Sequence, residues 1–505
     1  MSTTQLGEEP MELVRARERD ENLKPWDLWG TYLSDRQWGT VREDYSDDGN
    51  AWNSFPFDDS HLRAYRWGED GLLGLSDANG LLCFAPVLWN GKDPVLKERL
   101  FGLGNPEGNH GEDLKDTMYH LAGTPTCSYA KALYRYPQER FPYEQLREEN
   151  QRRSRDETEF ELVDTGIFSG NRFFDLNVEY AKVSPEDLLI RLTVTNQGSE
   201  AAELHLLPSL WFRNTWDWGD EDSARPRIRL ADGAVVSDAL QGLSSYNLSC
   251  SDQGTWLFTE NATNTERLYN QPLRQPFVKD AFHRYLIEGQ TDAVNPIGEG
   301  TKAAFHLQRH LEPGEVWQVN LRLCRHDHHG TKDPDPMESA QVESILSQRR
   351  QDWEDYLSWI APGLSQDDRA IHAAAAAGLF WCRKFYNWYV ARWLRGDTNG
   401  PRPPEQRWHT ENAYWSTLRT RNIISMPDCW EYPYFCQWDL MVHAVAFAEI
   451  DPGEAKRQAR MLRQASVTAN NGQSPAYEWA LSDANPPIGA WATLRLFQIS
   501  QRSHG

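Results

Sequence analysis

Apolar and polar residues alternate with a period of two along a long central part of the chain. Between about residues 155 and 325 the pattern recurs in "FFDLNVEYAKV", "LLIRLTVTNQG", "AAELHLLPSLWFRN", "GTWLFTEN", "KAAFHLQRHL" and "EVWQVNLRL". Turn sequences such as Asn196-Gln197-Gly198 and Glu312-Pro313-Gly314 separate these runs. Strands at this spacing, with no helical pattern between them, predict a large antiparallel sandwich. Upstream, short apolar runs are punctuated by Asp48-Gly49, Asn79-Gly80 and Asn90-Gly91, which predict β-hairpins. Their polar tips, Arg42-Glu43-Asp44 and Arg66-Trp67-Gly68-Glu69-Asp70, fit surface loops as well as the rim of a site. Residues 11–24 read as a charged helix.

The linker "HDHHGTKDPDPMES" ends this region with charges and prolines, and the apolar period then changes to three and four. "SAQVESILSQRRQDWEDYLSWI" and "QDDRAIHAAAAAGLFWCRKFYNWYVARWL" each predict one helix, with further helices over 439–450, 453–468 and 486–500. The organisation read from the pattern is a β-sandwich region over 1–335 and an α-helical domain over 336–505.

Composition narrows the partners. The formal charge of −22 repels phosphate backbones and anionic lipids, so neither nucleic acid nor a membrane surface is an expected partner. Twenty-two tryptophans suit both a large helical core and the stacking of sugar rings. The seven cysteines have no CxxC spacing, which points to reduced thiols and a cytoplasmic location. The N-terminal stretch has no apolar core of a signal peptide, and no segment is apolar enough to span a bilayer.

Several motifs carry little chemistry. The histidines of "RHDHHG" are adjacent in a linker, where ligands rarely converge, and Asp439 and His443 share a helix face without an HExxH context. "GLGNPEGNHGED" lacks the Lys-Ser/Thr of a phosphate loop, and no GxSxG is present. No metal and no cofactor are expected.

The carboxylates are more informative. In "MPDCWEYPYFCQWDLMVHAVAF", residues 426–447, Glu431 and Asp439 lie among aromatics that make a charged form costly. Asp439 fits a helix N-cap, where the dipole favours the ionised form, and it also fits a general acid, which must keep its proton. Further on, "NNGQSPAYEWALSDANPPIGAWATLRLF" gathers Gln473, Glu478, Trp479, Asp483, Asn485 and Trp491. Amides and carboxylates for hydroxyls, with indole faces for C–H surfaces, suit a sugar pocket, and a solvated loop has the same composition.

"WEYPYFCQWDLMVHAVAFAEIDP" and "GQSPAYEWALSDANPPIGAWA" closely resemble a bacterial branch of glycoside hydrolase family 63, that of the mannosyl-oligosaccharide glucosidases. The segments from "WGTVREDYSDDGNAW" through "YRWGEDGLLGLSD" to "EGNHGED" are similar to the N-terminal part of the same proteins. The resemblance implies an antiparallel β-supersandwich followed by an (α/α)6 barrel, and inverting hydrolysis of α-glucosides or related oligosaccharides. It implies that Asp439 is the general acid. It also implies substrate contacts at Gln473, Glu478, Asp483 and Asn485, and the neighbouring Trp430, Glu431, Trp438 and Trp479 are expected to contact the substrate with them.

The chain departs from that pattern in one respect. Residues 336–505 have room for only the first part of such a barrel, and no carboxylate here matches the family's general base. An inverting glycosidase without its base loses about 10²–10⁴-fold from that group alone. The expectations are therefore an α-glycosidase that is inactive without a companion chain completing the barrel, or a non-hydrolytic carbohydrate-binding relative. A phosphorylase on this architecture would need an anion site. The charge of −22 and the absence of clustered Arg or Lys in the sequence argue against one.

Overall fold

The computed structural model describes the chain except residues 1–8, 37–42, 45, 47–53, 103–106, 108–116, 155, 220–223, 327–337, 399–401, 427–434, 475, 477–481 and 505. The Asp48-Gly49 turn, Arg42, most of "GLGNPEGNHGED" and the "DHHG" of the linker lie outside the described residues. No group of three or more His, Cys, Asp or Glu among the described residues could hold a metal ion.

The strands of the sandwich are β1 (Trp29–Gly30), β2 (Leu75–Asp77), β3 (Leu82–Ala85), β4 (Leu88–Trp89), β5 (Met118–Gly123) and β6 (Tyr129–Pro137). They continue with β7 (Phe173–Ser184), β8 (Asp187–Asn196), β9 (Ala202–Leu206), β10 (Ser209–Phe212), β11 (Ile228–Ala231) and β12 (Ala234–Ser237). The last are β13 (Tyr246–Cys250), β14 (Thr255–Thr259), β15 (Glu299–Gly300), β16 (Lys302–Leu311) and β17 (Val316–Arg325). One sheet has the order β1-β2-β3-β10-β16-β9-β4, with β14 also on β16. The other runs β15-β11-β12-β13-β17-β8-β7-β6-β5. The β7–β8 and β17–β8 ladders at its centre are antiparallel.

The period-two pattern explains why the sheets pack. Phe174, Leu176, Val178 and Tyr180 of β7 alternate into one core with Leu188, Ile190, Leu192 and Val194 of β8. From the opposite sheet, Phe84, Leu206, Leu210 and Phe305 close the same core. "AAELHLLPSLWFRN" is two strands because Pro208 has no amide hydrogen to donate at the break. At the β2–β3 hairpin, Gly80 takes φ +56° while Asp77 accepts from the amides of Leu81 and Leu82 at 2.7 and 2.8 Å.

The outer face of the nine-stranded sheet is covered by helices. Tyr129, Ala181 and Leu189 share a core with Val342, Leu346, Tyr356, Phe380 and Phe447. These come from the helices Ser339–Ile360, Gln366–Trp381 and Gln437–Ile450. Trp381 packs on the edge strand β5, donating its indole N–H to the Ala122 carbonyl at 2.8 Å and stacking on His120. The helix Met11–Asp20, shorter than the 11–24 expected, clamps the helical layer through buried ion pairs. Arg15 meets Asp352 at 2.7 Å, and both Arg19 terminal nitrogens donate to Asp451, at 2.8 and 2.9 Å.

The 366–394 segment is not one helix. It is helical over Gln366–Trp381, extended over Arg383–Tyr389 and helical again over Val390–Arg395. The extended part pairs with Arg419–Ser425, in register Phe385↔Ile423. Its aromatic residues are buried in succession, so the pattern carries no period-two signal and continues the helical one by accident. The last three helices run Gln437–Ile450, Pro452–Met461 and Ile488–His504. The five long helices after Glu338 and this interposed ladder accompany the antiparallel sheets, so the chain is a β-sandwich with a helical part. No helix among them is long and apolar enough to cross a membrane.

Candidate functional site

Asp439 lies in the first turn of Gln437–Ile450, and the N-cap position belongs to Cys436, not to Asp439 as the sequence suggested. The Cys436 thiol donates to Asp439 Oδ2 at 2.5 Å. Burial pushes that thiol up, and the hydrogen bond to Asp439 adds to the effect, so it remains a protonated donor. One turn later, His443 Nδ1 lies 2.7 Å from Ser425 Oγ. Burial holds His443 below the ordinary histidine range although the Asp439 charge opposes it, so the ring is neutral at pH 7. Asp439 is half-buried and Trp438 beside it is 38% exposed.

The 469–485 loop docks on the same helix end. The Gln437 amide donates to the Ala476 carbonyl at 2.8 Å, and Asn485 Nδ2 donates to the Ser474 carbonyl. The Gln473 amide donates to Asn471 Oδ1 at 2.9 Å, closing a turn at Gly472 where φ is +82°. A cavity of about 250 Å³ opens there, lined by Gln437, Met441, Ser474 and Gly489 among others. Gln473 and Asn485 are half-buried near it, and Asp483 is exposed. Trp430, Glu431, Glu478 and Trp479 lie outside the described residues. Trp438 and Val442 are exposed on this helix, as are Trp491, Leu494 and Phe497 on Ile488–His504, so both present apolar side chains to solvent.

The polar tips reach into the interior. Glu43 accepts from the amides of Arg66 and Trp67 at 3.3 and 2.9 Å, folding the two loops together. Asp70 holds Arg99 Nε at 3.0 Å and Tyr65 donates to it at 3.1 Å. Asp44, Arg66 and Trp67 line a cleft of about 350 Å³ whose far wall comes from residues 392–397 and 402–407. Trp67 packs edge-on against Trp388, and both belong to the core that holds Phe435, Cys436 and Leu440. One apolar body thus joins the cleft wall to the start of the Asp439 helix. The sequence marked the two tips as fitting a site's rim but not the arginines opposite them, which come from segments as far apart as residues 63 and 407.

No protein-family model matches the chain. It is 39% identical over 542 aligned residues to the uncharacterized protein YMR196W of Saccharomyces cerevisiae. That alignment takes in 98% of this chain and 49% of the yeast protein, so the chain spans about half the length of this relative. Among solved structures, it is similar to the polysaccharide lyase BACCELL_00875 at 13% identity, over 51% of this chain and 27% of that one, with a TM-score of 0.23. A putative aldose 1-epimerase from Escherichia coli K12 is 10% identical over 41% of this chain and 67% of its own, with a TM-score of 0.19. A putative kojibiose phosphorylase from the human microbiome is 9% identical over 65% and 39%, also at 0.19. These structural likenesses are too slight to bear on activity.

Proposed function

We propose that the chain is the acid-bearing part of an inverting α-glycoside hydrolase acting on α-glucosides or related oligosaccharides. The observation that carries this reading is the placement of Asp439. Its carboxyl group is held half-buried in the first turn of a helix, fixed by the Cys436 thiol at 2.5 Å, with Trp438 exposed beside it. A general acid needs a carboxyl fixed on a rigid element, and a sugar needs an open aromatic face next to it. In this reading Trp430, Glu431, Trp438, Gln473, Glu478, Trp479, Asp483 and Asn485 contact the sugar.

Inversion requires a second carboxylate roughly 6.5–9.5 Å from the first, with a water between them. That base is assigned to no residue of this chain. The reading places it in sequence that the relative carries beyond the aligned half, which also serves as the companion covering the exposed face of Trp491, Leu494 and Phe497.

The test is leaving-group dependence in the full-length relative. The reading requires an aspartate in the relative at the position of Asp439, and its replacement by Asn should abolish cleavage of an α-linked disaccharide while sparing an activated aryl α-glucoside. Equal activity of the variant on the disaccharide removes the assignment. Sugar binding without any cleavage by the unmodified protein would favour the non-hydrolytic reading instead.

A further inference from the structure

Two adjoining cavities lie where the sandwich loops meet the Arg383–Tyr389 ladder and the residues that follow it. The first, of about 350 Å³, and the second, of about 450 Å³, share Arg66, Trp67 and Arg392. Both volumes fall in the range of about 300–1,000 Å³ usual for small-molecule sites. Rings wall the groove they form: Trp218, Tyr269 and Trp393 in the first cavity, Trp388 and Tyr389 in the second, with Trp67 common to both.

The arginines of this region are committed to the protein. Arg63 pairs with Asp59 at 3.1 Å, Arg225 pairs with Glu260, and Arg66 Nε lies 3.3 Å from Asp397. Arg407 donates to the carbonyls of Trp393 and Asp44 at 2.9 and 2.6 Å, and its guanidinium lies over the Trp393 ring. Arg213 donates to the carbonyls of Gly80 and Arg66 at 2.7 and 3.3 Å. These arginines rivet the walls to one another and set the shape of the groove rather than its charge.

Neutral groups are what the groove leaves available. The Tyr269 hydroxyl and the side-chain amides of Gln275 and Asn387 line it, and none of the three makes a hydrogen bond among the described residues. All three residues are half-buried. Burial raises Tyr269 above the ordinary tyrosine value, so its hydroxyl keeps its proton and can both donate and accept. A side-chain amide does both as well, through its NH2 and its carbonyl. Next to Arg407, Trp408 turns to solvent with 51% of its surface exposed. Donor–acceptor groups without partners, set beside aromatic rings, match a ligand made of hydroxyls and C–H faces. An anionic group only accepts, and would leave the amide oxygens of Gln275 and Asn387 unanswered.

We infer that this groove binds a neutral oligosaccharide, at a site distinct from the Asp439 helix end and independent of glycoside cleavage. Sugar hydroxyls meet Tyr269, Gln275 and Asn387, while Tyr389 and the exposed Trp408 supply rings for the C–H faces. The cavity at the Asp439 helix end, lined by Gln437, Met441, Ser474 and Gly489 among others, shares no lining residue with the groove. A neutral ligand is also one that a chain of net charge −22 does not repel.

Calorimetric titration of the full chain with maltotriose, cellotriose and inorganic phosphate tests it. Saturable binding of a trisaccharide is expected, with none of phosphate, and the preferred trisaccharide gives the linkage. Tyr269→Phe, which removes only the hydroxyl, and Gln275→Ala should each weaken binding about three- to tenfold. Trp359→Ala, at an exposed ring outside the groove, should leave it unchanged. The inference is overturned if neither trisaccharide saturates or if phosphate binds as tightly. It is also overturned if both groove variants, melting like the parent, bind unchanged. Loss of that binding in Gln473→Ala instead would place the sugar at the Asp439 helix end, which overturns this inference and leaves the hydrolase reading standing.

Discussion

The Arg19–Asp451 pair is where the N-terminal helix is tied to the helical layer, and breaking it should be costly. Both side chains are about 98% buried, and the contact is bidentate at 2.8 and 2.9 Å. Burial alone would raise the Asp451 carboxyl. The charge and hydrogen bonds of Arg19 outweigh burial and bring it to about 2, against an ordinary value of 3.8. At about 1.4 kcal/mol per pKa unit, that difference corresponds to about 2 kcal/mol of stability at neutral pH. The folded value lies below the unfolded one, so the contribution is complete above about pH 4 and is lost as pH falls towards 2.

Removing one partner leaves the other buried and unpaired. Arg19→Met should therefore destabilise by about 3–5 kcal/mol. Asp451→Asn should cost a similar amount, since Asp451 also caps Pro452–Met461 by accepting from the Glu454 amide at 3.0 Å. Urea unfolding followed by tryptophan fluorescence, for both single variants and the double variant, gives the coupling. A coupling of about 2 kcal/mol or more is expected. Additivity within about 0.5 kcal/mol, or single losses below about 1 kcal/mol, would refute the reasoning.

Other perturbations test other joints. Lys182 donates to the carbonyls of Trp26, Trp29 and Thr126 at 2.5, 2.7 and 2.8 Å, so Lys182→Met should cost about 3 kcal/mol or more in urea unfolding by stranding three buried acceptors. Gly396 has φ +73°, and a Cβ there would lie 2.3 Å from Pro403 Cγ. Gly396→Ala should lower the melting temperature in a thermal unfolding scan, by straining the backbone and displacing Pro403. Leu346, fully buried between sheet and helices, should lose about 2–5 kcal/mol on truncation to Ala. The buried, upward-shifted Cys436 thiol should resist iodoacetamide at pH 7.5 in the native protein and react on unfolding, as read by mass spectrometry.

The sandwich was legible because each strand has one face in a single core, as Leu188, Ile190, Leu192 and Val194 show. A strand buried on both sides has no such alternation, and Arg383–Tyr389 was for that reason absorbed into a helix. Asp439 was legible as a carboxyl among aromatics at a helix start. Its position was off by three residues, because Cys436, a poor capping side chain, occupies the N-cap. The arginine-lined cleft was not legible, since no local pattern unites Arg63, Arg213, Arg392 and Arg421. Only the meeting of the sandwich tips with residues 392–397 and 402–407 and with the Arg419–Ser425 strand gathers them.

The claim that this fold serves inverting cleavage of an α-glucoside is most directly tested by proton NMR of the first-formed product. Incubating the full-length relative with an alkyl α-glucoside, whose only sugar is the glycone, should release β-glucose first, with the α anomer growing in only by mutarotation. Asn at the relative's position corresponding to Asp439, where the reading requires an aspartate, should abolish that signal. Release of α-glucose first, or an undiminished signal from the variant, would contradict the account.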